Sequence, residues 1–318
     1  MTGQGYNTAM LLPLVIATAM SQTPDLDQIA RAACEKASAE YGLEVEKLAA
    51  TIHVHDRDAR TWAHGSHQGA RKFYPASVVK VFFLAYAMHL IEQKKLELTD
   101  ELQRGFDDMI GYSSNDATNY VLEVITGTGS GPNVSDDELK EFMQKREAPN
   151  RWYASLGYKD VYAVQKTWYD GPYGRDRQAY GLNWEHRNSL TTDATARWMS
   201  DVMLDKFVTP DKCADMRKLL SRTILADDEK ASKSYIGGVL PSGTKLWSKA
   251  GWTSDVRHDL ACVRTKDGKE ITLCIYTEYG RNTKAVSFIA AEILRSLGVD
   301  AKMPDDGEPV WLPEDQQI

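Results

Sequence analysis

Pro75-Ala76-Ser77-Val78-Val79-Lys80-Val81-Phe82-Phe83-Leu84 opens a stretch, running on to Leu96, that is apolar on nearly every side of a helix. A helix with no polar face is a buried helix. Lys80 nevertheless sits inside it, between two valines. Lysines are almost never fully buried unless paired, because stripping an ammonium of water is costly. Desolvation lowers a lysine's pKa, by up to ~3–5 units in extreme cases, and leaves a neutral amine that can act as a base near pH 7. Ser77 stands three residues earlier, one turn away on the same face. Pro75 and Ala76 put it in the first turn, where unpaired N–H groups and the helix dipole favour developing negative charge. A serine beside a neutral lysine is a nucleophile–base pair.

The same Ser-x-x-Lys spacing recurs at Ser242 and Lys245, between Pro241 and the start of a strand. About one such match is expected by chance in a chain of this length. Nothing there buries the lysine, so burial singles out the first pair.

Outward from that helix, the chain sorts into strands at both ends and helices between. Leu26 to Tyr41 is amphipathic, Leu48 to His55 alternates like a strand, and Arg60 to Ser66 is its hairpin partner. Helical periodicity covers Asn115 to Ile125, Asp137 to Lys145, Thr192 to Leu204 and Asp211 to Leu220. Residues 127–133 form a glycine-rich turn, and Trp168 to Trp184 is aromatic and loop-like. Lys245 to Trp252, His258 to Thr265 and Ile271 to Thr277 are strands, the last two joined at Asp267-Gly268, and Thr283 to Leu297 is a helix. The economical packing is an α+β fold: one antiparallel sheet built from both chain ends, flanked by helices, with an all-helical lobe inserted. The sheet lobe takes about residues 25–75 and 235–300, and the helical lobe about 76–234. A cleft between two such lobes is a natural binding site.

The first 24 residues carry no Asp, Glu, Lys or Arg, and Ala9 to Met20 is almost wholly apolar. That run is short of the ~20 residues a spanning helix needs. It suits a secretory leader over residues 1–21, with small residues at Ala17, Ala19 and Ser21 and a periplasmic or secreted product. An acidic tail occupies residues 301–318. The net charge of −7 excludes a nucleic-acid binder, which needs a basic footprint. Cys34, Cys213, Cys262 and Cys274 show no metal spacing; a bridge between the last two depends on a hairpin register, and buried thiols are the simpler reading. His53-Val54-His55-Asp56 has a metal-ligand look, but on a strand both histidines lie opposite Ala50, Ile52 and Val54. That predicts a solvent-facing pair, with no third cluster to complete a site. No Gly-x-Ser-x-Gly elbow, phosphate loop or dinucleotide fingerprint occurs.

Two further constellations follow in order. Ser113-Ser114-Asn115 precedes a helix, and Lys249-Ala250-Gly251 lies on a strand. With Ser77 and Lys80, these resemble the Ser-x-x-Lys, Ser-Asp-Asn and Lys-Thr-Gly signature of class A β-lactamases and penicillin-binding proteins. Only the first motif is intact. Asp176-Arg177 with Leu182-Asn183 is similar to that family's omega loop, and Val256-Arg257-His258-Asp259 to the strand after its third motif. The chain is thus identified as a divergent member of the β-lactamase and penicillin-binding superfamily, over about Leu26 to Gly298.

The resemblance implies a two-lobed β-lactamase/transpeptidase-like fold and an acyl-enzyme on Ser77, with Lys80 as its proton partner. Ser113 would relay a proton to the leaving nitrogen, and Asn115 would hold Lys80 and the substrate's amide. Lys249 would supply positive potential and keep Lys80 neutral by repulsion. The N–H groups of Ser77 and Trp252 would form the oxyanion hole. Ala250, Gly251, Asn183 and Arg257 would line the substrate, with the Arg257 guanidinium binding a carboxylate of the substrate. The substrate would be a small β-lactam or a peptidoglycan-like amide or ester, the enzyme would need no cofactor, and the mature protein would be a monomer outside the membrane. One departure weighs most. The family's deacylating glutamate falls at Ala179, so hydrolysis would pass to Glu185, Asp176 or Lys80, or the protein would release its acyl group slowly as a penicillin-binding peptidase or sensor.

Overall fold

The computed structural model describes residues 24–168, 171–222 and 235–304, together with Met1. The leader expected at residues 1–21 and most of the acidic tail lie outside these.

Helix α1 (Leu26–Tyr41) starts where Asp25 accepts a hydrogen bond from Gln28 N at 3.1 Å, and stops at Gly42, whose φ of 62° suits a glycine. Strands β1 (Leu48–Asp56) and β2 (Thr61–His67) form the first hairpin. A 3₁₀ turn over Ala76–Val79 leads into α2 (Lys80–Glu92). There follow α3 (Asp100–Gly111), α4 (Asn115–Thr126), α5 (Asp136–Arg146), α6 (Ala148–Ser155), α7 (Gly174–Ala179), α8 (Thr192–Met203) and α9 (Pro210–Leu220). The two-residue β3 (Ser221–Arg222), then β4 (Lys245–Trp252), β5 (Arg257–Arg264), β6 (Glu270–Thr277) and α10 (Ala285–Ser296) complete the described strands and α-helices. Helix α7 falls inside the segment expected to be loop, where a single and a half turns leave too short a period to detect.

The six-stranded sheet has the order β2-β1-β6-β5-β4-β3, and every pairing is antiparallel. Strand β1 pairs with β6 in the middle, so the two ends of the chain build one sheet, as the alternation predicted. One face is covered by α1 and α10 through Ala30, Ala37, Ile52, Leu273, Ile289 and their neighbours. The close approach of α1 depends on Gly65, where a Cβ would stand 2.3 Å from Leu26 Cβ. The other face packs against α2 and α8 through Val81, Phe82, Trp198, Leu260 and Tyr276. The buried helix read from residues 76–96 is therefore the centre of the second core.

With both faces covered, the expectation for the histidine pair fails. His53 is 2% exposed, and His55's side chain is fully covered beneath α8. Ser200 Oγ lies 2.7 Å from His53 Nδ1 and 2.9 Å from His55 Nε2, and His55 Nδ1 lies 2.8 Å from Glu270 Oε1. Cys262 adds a sulfur near His55 and Glu270. Glu270 is already held by Arg57 at 2.9 Å and Arg264 at 2.5 Å, so two guanidiniums occupy the carboxylate that a cation would need. The group is a buried ion-paired network. All four cysteines are free and buried. Cys262 stands opposite Thr272 and Cys274 opposite Leu260, so the register sets the two thiols diagonally and no bridge forms.

Candidate active site

The site is built where the 3₁₀ turn, the α3–α4 turn and the end of β4 converge. Two non-glycine residues adopt left-handed backbone there: Ala76 at φ 45° and Ser113 at φ 59°. Such conformations cost energy and persist only where the surroundings enforce them. Ala76 opens the 3₁₀ turn and Ser77 is its second residue, half-buried, with Val78 N bonded to Pro75 O at 3.1 Å. Gly251 on β4 lies against this turn. A Cβ at 251 would stand 2.7 Å from Ser77 N and 2.8 Å from Val78 N. The third motif's glycine is thus required by the approach of strand to nucleophile turn.

Lys80 has no solvent exposure. Its Nζ donates to Ser113 O at 2.5 Å, Asn115 Oδ1 at 2.9 Å, Ser113 Oγ at 3.2 Å and Ser114 O at 3.4 Å. Burial brings its pKa down to about 7. Lys249 donates to Ser113 Oγ at 2.8 Å and Ala250 O at 2.7 Å. Burial drives its pKa well below the usual lysine range, and the charges of Lys80 and Arg222 add to that. Asp259, whose carboxyl burial raises to about 6, works weakly the other way.

Two expectations change. Among the described residues no hydrogen bond joins Lys80 to Ser77 Oγ: the amine is held one residue cluster away, by the Ser113–Asn115 turn. In an unliganded site such bonds are often long and tighten only with substrate. Repulsion from Lys249 is also not what lowers Lys80; burial does that, and Lys249 is the amine that feels its neighbour's charge.

Asn115 is the first residue of α4, which Ser114 caps by accepting from Ala117 N at 3.1 Å. One turn on, Asn119 bonds both the N–H and the C=O of Thr167, at 3.0 and 3.1 Å, and fastens the segment before α7 to α4. Ala250 and Trp252 are half-buried on β4. Arg257, expected to meet the substrate carboxylate, is 3% exposed. It donates to Gly280 O at 3.0 Å and Tyr235 OH at 3.2 Å, beneath the Trp252 ring, with no carboxylate partner among the described residues.

The candidates for deacylation are placed elsewhere. Glu185 is exposed and accepts from Asn183 N at 3.0 Å and Asn183 Nδ2 at 3.3 Å, so both residues close their own turn. Asp176 is fully buried, bound by Arg146 at 3.1 Å and Ser130 at 2.8 Å, with Lys166 at 3.8 Å. Ala179 ends α7, buried. Among the described residues no carboxylate is bonded to Ser77, Lys80 or Ser113. Lys166, buried beside Glu123 and Ser130, went unforeseen because its segment carries no periodic signal.

Comparison with known proteins gives the family and the fold. The family described as the beta-lactamase enzyme family matches residues 35–297. No curated protein matches in sequence. Among solved structures, the chain is similar to the beta-lactamase from Sphaerobacter thermophilus DSM 20745, with a TM-score of 0.63, 19% identity, and coverage of 86% of this chain and 98% of that one. A PBP-A mutant captured as an acyl-enzyme with penicillin G gives a TM-score of 0.62 at 13% identity, covering 87% and 99%. A beta-lactamase from Chitinophaga pinensis DSM 2588 gives 0.60 at 13%, covering 84% and 97%. At these identities the likeness is one of fold.

Proposed function

Since the chain belongs to the beta-lactamase enzyme family, we propose that this serine hydrolase works by acylating Ser77 with a β-lactam or a related cyclic amide or ester. The observation that carries the reading is the Ser113 hydroxyl held between two buried amines, 2.8 Å from Lys249 and 3.2 Å from Lys80. At neutral pH Lys80 is a base available without a charge penalty.

In the acylation step, Ser77 Oγ attacks the carbonyl while its proton passes to Lys80. The oxyanion is received by the N–H groups of Ser77 and Trp252, the first set by the contact with Gly251. The proton then travels from Lys80 through Ser113 to the departing nitrogen, and Lys249 offsets the charge that develops on that hydroxyl. Asn115 holds Lys80 and faces the substrate amide. Ala250 lacks the hydroxyl that a threonine would offer the substrate carboxylate, which leaves Arg257, buried beneath Trp252, as its candidate partner.

A second reading is favoured by one specific observation, the absence of any carboxylate bonded to Ser77, Lys80 or Ser113 among the described residues, with alanine at 179. Water would then be activated by Lys80 alone, and the acyl group would leave slowly, as in a penicillin-binding peptidase or sensor. Intact mass after brief penicillin exposure separates the two. A β-lactamase turns over a chromogenic cephalosporin and shows no lasting adduct; a slow-release protein gains the drug's mass once and keeps it through washout. Neither happens with Ser77→Ala, and a Ser77→Ala protein that still reacts would overturn both.

The apolar start of the chain supports export to the periplasm or beyond. Among the described residues no helix is long and apolar enough to cross a membrane.

A further inference from the structure

His258 of β5 is fully buried and touches neither lysine, yet it bonds to the chain three residues before Ser77. Its Nε2 lies 2.9 Å from Tyr74 O, and Thr277 N donates to its Nδ1 at 3.2 Å. A carbonyl can only accept and a peptide N–H can only donate, so these two partners allow one form of the ring: neutral, with its proton on Nε2. Burial agrees, holding its pKa down to about 4. Phe73 packs edge-on against the ring at 6.0 Å and Tyr276 lies 4.2 Å away, so the imidazole has no freedom to turn.

The segment it grips is short and under strain. Phe73 is tied to Leu190 by two backbone bonds of 2.9 and 3.0 Å, Tyr74 O is taken by His258, and Pro75 has a fixed φ and no N–H. Ala76 follows in the left-handed region, and Ser77 N then meets Gly251. With two fixed points upstream and β4 downstream, the turn at Ala76 has one way to run. Loss of the Tyr74 anchor would let Ala76 relax to ordinary backbone and carry Ser77 away from β4.

We propose that His258 is a positioning residue: by donating from Nε2 to Tyr74 O it holds the nucleophile turn in its left-handed conformation and keeps Ser77 N–H aimed at the oxyanion. This rests on the reading of Ser77 as nucleophile, but the mechanical part can be tested without it. His258→Gln keeps a donor where Nε2 was, whereas His258→Asn is too short to reach Tyr74. Hydrogen exchange over residues 73–79 and penicillin acylation of Ser77 are measured on both.

The expected result is faster exchange over 73–79 in His258→Asn with protection in α1 and α10 retained. Acylation at saturating drug should fall about 10–100-fold while the dissociation constant of the non-covalent complex stays put. His258→Gln should recover both. Parent-like exchange and acylation in His258→Asn overturns the proposal, as does a His258→Gln protein that loosens as much as His258→Asn. If His258→Asn does not fold, His258→Gln decides: faster exchange over 73–79 than in the parent overturns it, and parent-like exchange supports it. Should the segment respond as stated while the parent takes up no penicillin, it is the acylation reading that fails.

Discussion

Lys249 Nζ lies 2.8 Å from Ser113 Oγ, closer than Lys80 Nζ, which reaches the same hydroxyl at 3.2 Å. A hydroxyl shared by two amines, each with its pKa lowered by burial, can pass a proton in either direction at little cost.

Removing that hydroxyl should therefore damage chemistry more than binding. Ser113→Ala is expected to slow acylation about 10²–10⁴-fold, the usual range for a lost proton-transfer group. Stopped-flow measurement of the acylation rate against drug concentration checks it; an unchanged limiting rate would remove Ser113 from the relay.

Lys80 must be neutral to accept the Ser77 proton, and its pKa stands at about 7. Acylation should rise as pH increases through about 7 with the slope of one deprotonation. A rate flat from about pH 5.5 to about pH 8.5 would assign the base elsewhere.

Gly251→Ala places a methyl 2.7 Å from Ser77 N. Strand and turn must separate, at a cost of about 1–3 kcal/mol in stability. Loss of the Ser77 oxyanion donor should cut acylation about 10²–10³-fold. Denaturant melts and acylation rates of the variant test both parts.

His258 has a folded pKa of about 4 against 6.5 for a free imidazole. Between those values the unfolded chain binds the extra proton, so stability is lost as pH falls from 6.5 towards 4, by roughly 3 kcal/mol from this residue. His258→Gln should flatten the fall. Urea unfolding at several pH values compares the slopes, and identical slopes would contradict the assignment.

The four thiols are buried and unpaired. Ellman's reagent should leave the native protein unmodified and count four thiols after unfolding in guanidinium. A lower count without reductant would reveal a bridge.

Much of this was visible in the residues themselves. The alternation at both ends predicted the shared sheet, and a lysine in an apolar helix led directly to the site, since burial and pKa are two faces of the same desolvation. Ser113, Asn115 and Lys249 gather around Lys80, and Gly251 lies against the turn of Ser77; the roles that the resemblance implied for them remain proposals. Period-two reasoning failed at His53 and His55 because it reports one covered face, and α8 covers the other with Ser200 as polar partner. Which acceptor Lys80 chooses depends on the left-handed turn at Ser113, and a serine gives no warning of positive φ. The grip of His258 on Tyr74 joins residues far apart in the chain, beyond any local pattern.

Leu48 at one end of the chain pairs with Thr277 near the other. A polypeptide leaving a ribosome or threading a translocon presents β1 long before the strand that completes it. Until β4, β5 and β6 emerge, Gly251 and His258 do not yet exist to shape the turn at Ser77. On the proposed reading, competence waits for β6 to join β1 to β5, and a chain truncated before Glu270 is expected to gain no penicillin mass.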